Sequence, residues 1–256
     1  MKLLSKLLLP LLLCLVTGTA MAAPDLYTGE VDVSSQGEVE RDAALPLALD
    51  HVLRKLSGLQ ALPETPEVEA ALATAESLVI AFGYRNVSRL APDGAELEQL
   101  QLEARFAPGP VDEMLRVLRL PRWRPERSPV VLWIVVDDGR GRSLMPLEYQ
   151  YAFDSARSLA QYRGQPVEWP GLDPELQAQV DLQLLWGGYT DQLLADGADN
   201  AGILVAAARR EGPVWNVRWS FADSNASNSW RSRGPDLSLA LNEGINQLVD
   251  LLASVN

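Results

Sequence analysis

Residues 130–139 read VVLWIVVDDG, a run of seven apolar residues that ends in two aspartates and a glycine. Most of the seven are β-branched or aromatic, and the run is shorter than a typical helix. Such a run is typical of a strand that is buried on both faces of a sheet. We therefore expect the second half of the chain to fold around this strand.

A connector rich in proline and arginine precedes the strand. Residues 120–129 read LPRWRPERSP, and their prolines exclude a regular helix or a central strand. On each side of the connector, the pattern predicts a strand, two helices, a hairpin and a final helix. The sequence therefore predicts an α+β fold with two similar small domains, residues 24–119 and 130–256. Each would be a mostly antiparallel sheet packed by helices, and the matching order suggests an internal duplication.

The N-terminus has the features of a secretory signal peptide. Lys2 and Lys6 come before an apolar run, and small residues follow that run as far as Ala22. We expect residues 1–22 to be cleaved and the protein to be periplasmic. The alternative is a retained membrane anchor, but the run is about half of the ~20 residues that a spanning helix needs. No later segment is apolar enough to predict a transmembrane helix.

Composition excludes several classes of site. The formal net charge is -12 and becomes -14 when the two lysines of the signal peptide are removed. The only cysteine, Cys14, lies in the signal peptide, so the mature chain has no disulfide and no thiolate site. An acidic exported protein binds nucleic acid poorly, because phosphate contacts dominate that affinity. We predict no cofactor and no nucleic-acid partner.

The single histidine, His51, lies in a predicted amphipathic helix. The apolar stripe of this helix consists of Leu49, Val52, Leu53 and Leu56. This stripe places His51, together with Asp50, Arg54 and Lys55, towards solvent. The chain has no G-x-S-x-G motif to supply a serine nucleophile for the histidine. The pattern predicts a surface helix and not a catalytic base.

Acidic residues near the end of the central strand allow two interpretations. Asp137 and Asp138 are placed to cap the turn into Gly139, which is the simpler one. The alternative is a divalent-cation site made by Asp137, Asp138 and Glu148. With Asp154, the same acids would form the basis of a carboxylate-dependent hydrolase, which needs two acids at a defined separation.

The arginines around the connector form a predicted positive belt, which we call the arginine seam. Its members are Arg116, Arg119, Arg122, Trp123, Arg124 and Arg127. They would either clamp carboxylates across the two domains or dock a partner, since guanidinium groups suit carboxylate and phosphate. Trp123 would then be an interface anchor.

Aromatic residues cluster in the second predicted hairpin and just beyond it. Trp215, Trp219 and Phe221 share one strand face, so we assign them to the core. Trp230 lies among polar residues, and if exposed it would stack on a sugar of an envelope glycan.

Three stretches resemble a known family. They are the VLRKLSG segment that ends at Gly58, the strand at 97–106, and the run from Leu120 to Trp133. Together they resemble an uncharacterised family of exported proteobacterial proteins, domain of unknown function 2066. The resemblance implies a periplasmic location and brings no catalytic residues.

The resulting hypothesis is a soluble periplasmic envelope protein that binds another protein or a cell-wall glycan. The alternative is a carboxylate-dependent hydrolase of envelope polymers.

Overall fold

The computed structural model describes residues 25–91, 95–169, 180–190, 202–224 and 226–254. The predicted signal peptide, residues 1–22, lies outside the described residues. None of the described helices is both long enough and apolar enough to cross a membrane.

The first half of the chain is a three-stranded antiparallel sheet covered by one long helix. Its elements are β1 (Thr28–Asp32), α1 (Glu38–Ser57), α2 (Pro66–Leu72), α3 (Ala75–Leu78), β2 (Val79–Leu90), β3 (Glu96–Phe106) and α4 (Pro108–Val117). The strand order is β1-β3-β2. Leu102, Ala104 and Phe106 alternate along β3 and are fully buried beneath α1. The backbone of β1 approaches α1 so closely that a Cβ on Gly29 would lie 2.0 Å from the Ala48 carbonyl oxygen.

The second half is a six-stranded mixed sheet with helices on both faces. Its elements are β4 (Val130–Asp137), β5 (Arg142–Leu144), a 3-10 turn (Leu147–Tyr149), α5 (Gln150–Tyr162), β6 (Val167–Glu168), α6 (Leu182–Gly187), β7 (Ile203–Glu211), β8 (Val214–Ala222), β9 (Ser227–Gly234) and α7 (Leu237–Ser254). The strand order is β5-β4-β7-β8-β9, and β6 pairs with β4.

Strand β4 is buried on both faces. Leu132 and Ile134 belong to the core beneath α5 and α7. Trp133 and Val135 point to the opposite face, where they form a smaller core with residues of α6. This explains why the run carries no polar residue until Asp137.

The predicted α+β class is confirmed, but the internal duplication is not. The first sheet has three antiparallel strands, whereas β4 in the second sheet runs parallel to both β6 and β7. The pattern also missed β9, since its serines, asparagine and glycine are residues that favour turns. The division of the chain into two domains stays a prediction.

Candidate functional site

The outer arginines of the seam lie at the surface. Arg116 forms an ion pair with Glu113, and Arg122 forms one with Asp112, with 2.7 Å between the closest nitrogen and oxygen. Arg119 and Arg124 are exposed, and neither side chain has an ion pair within the described residues. Two of the outer arginines therefore remain available to an external partner without breaking an internal bond.

Trp123 and Arg127 lie inside the junction between the two halves. Trp123 is only 4% exposed, and the Arg127 guanidinium carbon lies 3.6 Å from the centre of its ring. The guanidinium donates to the backbone carbonyls of Lys55, at 2.7 Å, and Gly164, at 2.8 Å. Burial lowers the pKa of Arg127 to about 10. Arg127 thus joins the two halves through carbonyls, not carboxylates, and Trp123 is not an accessible anchor.

The expectation that His51 faces solvent is wrong. The imidazole is 1% exposed and stacks on the Tyr162 ring with a centroid distance of 3.6 Å. Its Nδ1 accepts from the Glu30 backbone N–H at 2.9 Å, so Nε2 carries the proton and donates to the Tyr162 carbonyl at 2.6 Å. Burial, and next the charge of Lys55, lower the pKa of His51 to about 3. The histidine is a neutral link between α1 and the end of α5.

Two further cations at the junction are buried. The expectation that Lys55 faces solvent is wrong, and the sequence pattern did not indicate the burial of Arg163. Lys55 donates to the Thr28 carbonyl at 2.7 Å. Arg163 donates to the Gly58 carbonyl at 2.8 Å and to Asp250 at 2.9 Å. The apolar stripe of α1 could not predict this, because the second contact surface of the helix comes from residues far along the chain.

The acids after β4 form capped turns. Asp137 accepts from the Gly139 N–H at 3.3 Å, and Asp138 accepts from the Arg140 N–H at 3.0 Å. The guanidinium of Arg140 pairs with both Asp138 and Glu148. These hydrogen bonds hold the pKa of Asp138 at about 2. Two of the three acids considered for a cation site therefore converge on an arginine.

In the described parts of the chain, no group of three or more His, Cys, Asp or Glu residues could hold a metal ion. Asp154, the fourth acid of the hydrolase hypothesis, accepts from Gln150 at 3.1 Å and pairs with Arg157.

Trp230 is half-buried on the inner side of β9. Its ring stacks on that of Trp219 with a centroid distance of 6.0 Å, and its Nε1 donates to the Gly244 carbonyl at 3.2 Å. The indole therefore has a packing role, with one face turned to the core. Trp215, Trp219 and Phe221 are buried as expected.

The outer side of β7, β8 and β9 carries a cluster of arginines that are not adjacent in sequence, and we call it the cationic face. Its members are Arg209 on β7, Arg218 on β8, and Arg231 and Arg233 on β9. Alternate residues of β8 enter the core, so the residues between them point outward. The register places Arg218 directly opposite Arg231, and Asn216 opposite both Arg209 and Arg233. The four arginines thus occupy two adjacent rows of one sheet.

These arginines line an open cavity of about 560 Å³, together with Trp186, Asn216, Glu211 and Glu243. The guanidinium carbons of Arg142 and Arg209 lie 4.4 and 5.1 Å from the centre of the Trp186 ring. The lining of the cavity therefore includes an indole that already contacts two guanidinium groups.

Internal carboxylates neutralise only part of this charge. Arg209 pairs with Asp137 at 3.4 Å, and Arg218 donates to the Trp186 carbonyl. Within the described residues, Arg231 and Arg233 have no side-chain ion pair. Glu211 accepts from the side chain of Asn216, and Glu243 accepts from the backbone N–H of Arg233. Two guanidinium groups are left facing the cavity.

Comparison with known proteins gives a partial family match. Residues 20–124 match the model of a domain of unknown function (DUF8605). This finding contradicts the resemblance to domain of unknown function 2066, so that assignment is wrong. No curated protein matches the chain.

Among solved structures, the chain is similar to the N-terminal domain of Thermus thermophilus Protein Y, with 8% identity over 51% of this chain and 99% of that one. The TM-score is 0.27, which is too low to support a common fold.

Proposed function

We propose that this is an exported bacterial envelope protein that acts by binding, and that the cationic face is its binding surface. The observation that carries the proposal is the direct pairing of Arg218 with Arg231 across two strands. Like charges placed directly opposite each other destabilise a sheet. Stability of the fold accounts for Arg218, which donates to the Trp186 carbonyl, but it gives no reason for a second arginine directly opposite it, whereas binding of an anionic partner does.

Protection of a sheet edge is the competing explanation, because charged side chains on edge strands prevent unwanted pairing. It accounts for Arg231 and Arg233, which lie on the edge strand β9. It does not account for Arg218, since β8 is an interior strand. The edge also has separate cover, as Glu243 and Gln247 of α7 bond the backbone of Arg233 and Arg231.

Charge contrast gives the surface its selectivity. The whole chain has a net charge of -12, so its remaining surface repels an anionic partner. A local positive field then directs such a partner to one orientation and raises its association rate. The exposed arginines of the seam, Arg119 and Arg124, lie outside this proposed binding surface.

A crosslinking experiment in living cells distinguishes the two surfaces. A photo-reactive amino acid is placed at one of two exposed positions. The first is Ser229, two residues before Arg231 on β9, and the second is Glu126 in the seam. We expect a specific product from position 229 that disappears when Arg218→Glu and Arg231→Glu are introduced. The same product from the charge-reversed protein, or a product from position 126 alone, would refute the assignment of the face.

The exported location has its own test. We expect the protein in the periplasmic fraction and its mature N-terminus after Ala22 or Ala23, as read by mass spectrometry. An intact Lys2 in the recovered protein would refute cleavage.

A further inference from the structure

We infer that the cationic face takes a linear polyanion, a polymer with repeated phosphate or carboxylate groups, and not a folded protein. This inference rests on the proposed function and specifies the ligand of the same surface. It follows from the spacing of the arginines, from the type of side chain, and from what the face lacks.

The spacing suits several anions at once. Neighbouring strands lie about 5 Å apart, and alternate residues of a strand lie about 7 Å apart. Arg218 and Arg231 are therefore adjacent across the ladder, Arg231 and Arg233 follow each other along β9, and Arg209 lies two strands from Arg233. A single small anion can reach only part of this array. A chain of anionic groups can reach all of it.

Arginine suits oxyanions in particular. Its planar guanidinium binds phosphate or carboxylate through two parallel hydrogen bonds and is always charged. The cationic face contains four arginines and no lysine.

The face lacks the anchors of a protein interface. Such interfaces are centred on buried aromatic or aliphatic side chains surrounded by a polar rim. Among the described residues, none of the exposed large apolar side chains belongs to β7, β8 or β9. The aromatic group that lines the cavity, Trp186, is contacted by two guanidinium groups. Binding on this face is therefore mainly electrostatic.

Binding of this kind has a salt signature. Each cation that neutralises a flexible polyanion contributes about -0.7 to the slope of log K against log salt concentration. Four arginines give a slope of about -2.8, or a loss of about 50-fold in affinity between about 50 and 200 mM salt. Two arginines give a loss of about 7-fold over the same range.

The test measures binding of inorganic polyphosphate and of polygalacturonate to the mature protein by calorimetry at several salt concentrations. Arg218→Gln with Arg231→Gln removes two charges from the face. Arg119→Gln with Arg124→Gln removes two charges from the seam and is the matched control. We expect the first pair to weaken binding and halve the salt slope, and the second pair to change neither. Ser229→Glu is a further variant that opposes binding without removing an arginine.

Each outcome has a consequence. Binding of either polymer with a halved slope in the face variant supports the inference, and the preferred polymer identifies the anion. Equal losses in the face and seam variants would overturn it. If neither polymer binds and a protein is crosslinked from position 229, the inference of a polyanion ligand is refuted. The proposed binding surface would still be supported in that case.

Discussion

Lowering the pH from 7 to 5 should destabilise this protein through His51 alone by about 2 kcal/mol. The unfolded chain takes up a proton on His51 near pH 6.5, whereas the folded imidazole stays neutral because burial lowers its pKa to about 3. The unfolded state thus binds more protons throughout this window, so the free energy of unfolding falls as the pH falls. One pH unit inside the window changes it by about 1.4 kcal/mol, which gives about 2 kcal/mol between pH 7 and 5.

The assay is urea unfolding at pH 7 and 5 of the parent and of His51→Gln. Glutamine cannot titrate, and carboxylates that protonate at the lower pH contribute equally to both proteins. The difference between the two pH dependences therefore isolates the histidine. Because the chain has one histidine, its NMR signal also reports the folded pKa directly. Equal pH dependences, or a histidine signal that titrates near pH 6.5 in the folded protein, would refute the buried neutral imidazole.

Four substitutions test other parts of the structure, each by urea unfolding. Gly244→Ala should cost about 1–3 kcal/mol, because a Cβ there would lie 2.0 Å from the Trp219 ring, and an unchanged midpoint would contradict that packing. Ser232→Ala should cost about 1–3 kcal/mol, since its hydroxyl accepts from Trp219 Nε1 at 2.8 Å; a neutral effect would mean that this bond is not formed. Arg127→Met should lower the free energy of unfolding by a similar amount, because it removes the hydrogen bonds to the carbonyls of Gly164 and Lys55. Crosslinking from position 229 should stay unchanged, and loss of the crosslink would indicate that Arg127 takes part in partner binding. Arg231→Gln should raise stability by up to about 1 kcal/mol, whereas destabilisation would remove the argument from like charges.

The sequence predicted the elements whose burial leaves a local pattern. The apolar run of β4 predicts a buried strand correctly, because both of its faces are covered. The clean alternation of β8 likewise predicts that Trp215, Trp219 and Phe221 lie in the core. Such patterns depend only on residues within a few positions of each other.

The junction and the cationic face could not be predicted in the same way. His51 lies outside the apolar stripe of α1, yet it is buried because Tyr162 covers it. Arg218 and Arg231 became a cluster only when the register of β8 and β9 was known. The arginines of the connector are close together in sequence, so the pattern predicts a cluster there. The arginines of the cationic face come from three strands and become neighbours only in the folded sheet.

The buried guanidinium of Arg163 has a consequence for the kinetics of folding. It bonds the Gly58 carbonyl, 105 positions earlier in the chain, and Asp250, 87 positions later. Contacts between distant positions require large loops to close and are associated with slow folding. We expect the hairpin of β2 and β3 to form early, because its strands are neighbours in sequence, and the junction to close late. The rate-limiting step should then be the docking of α7 and α5 against the end of α1.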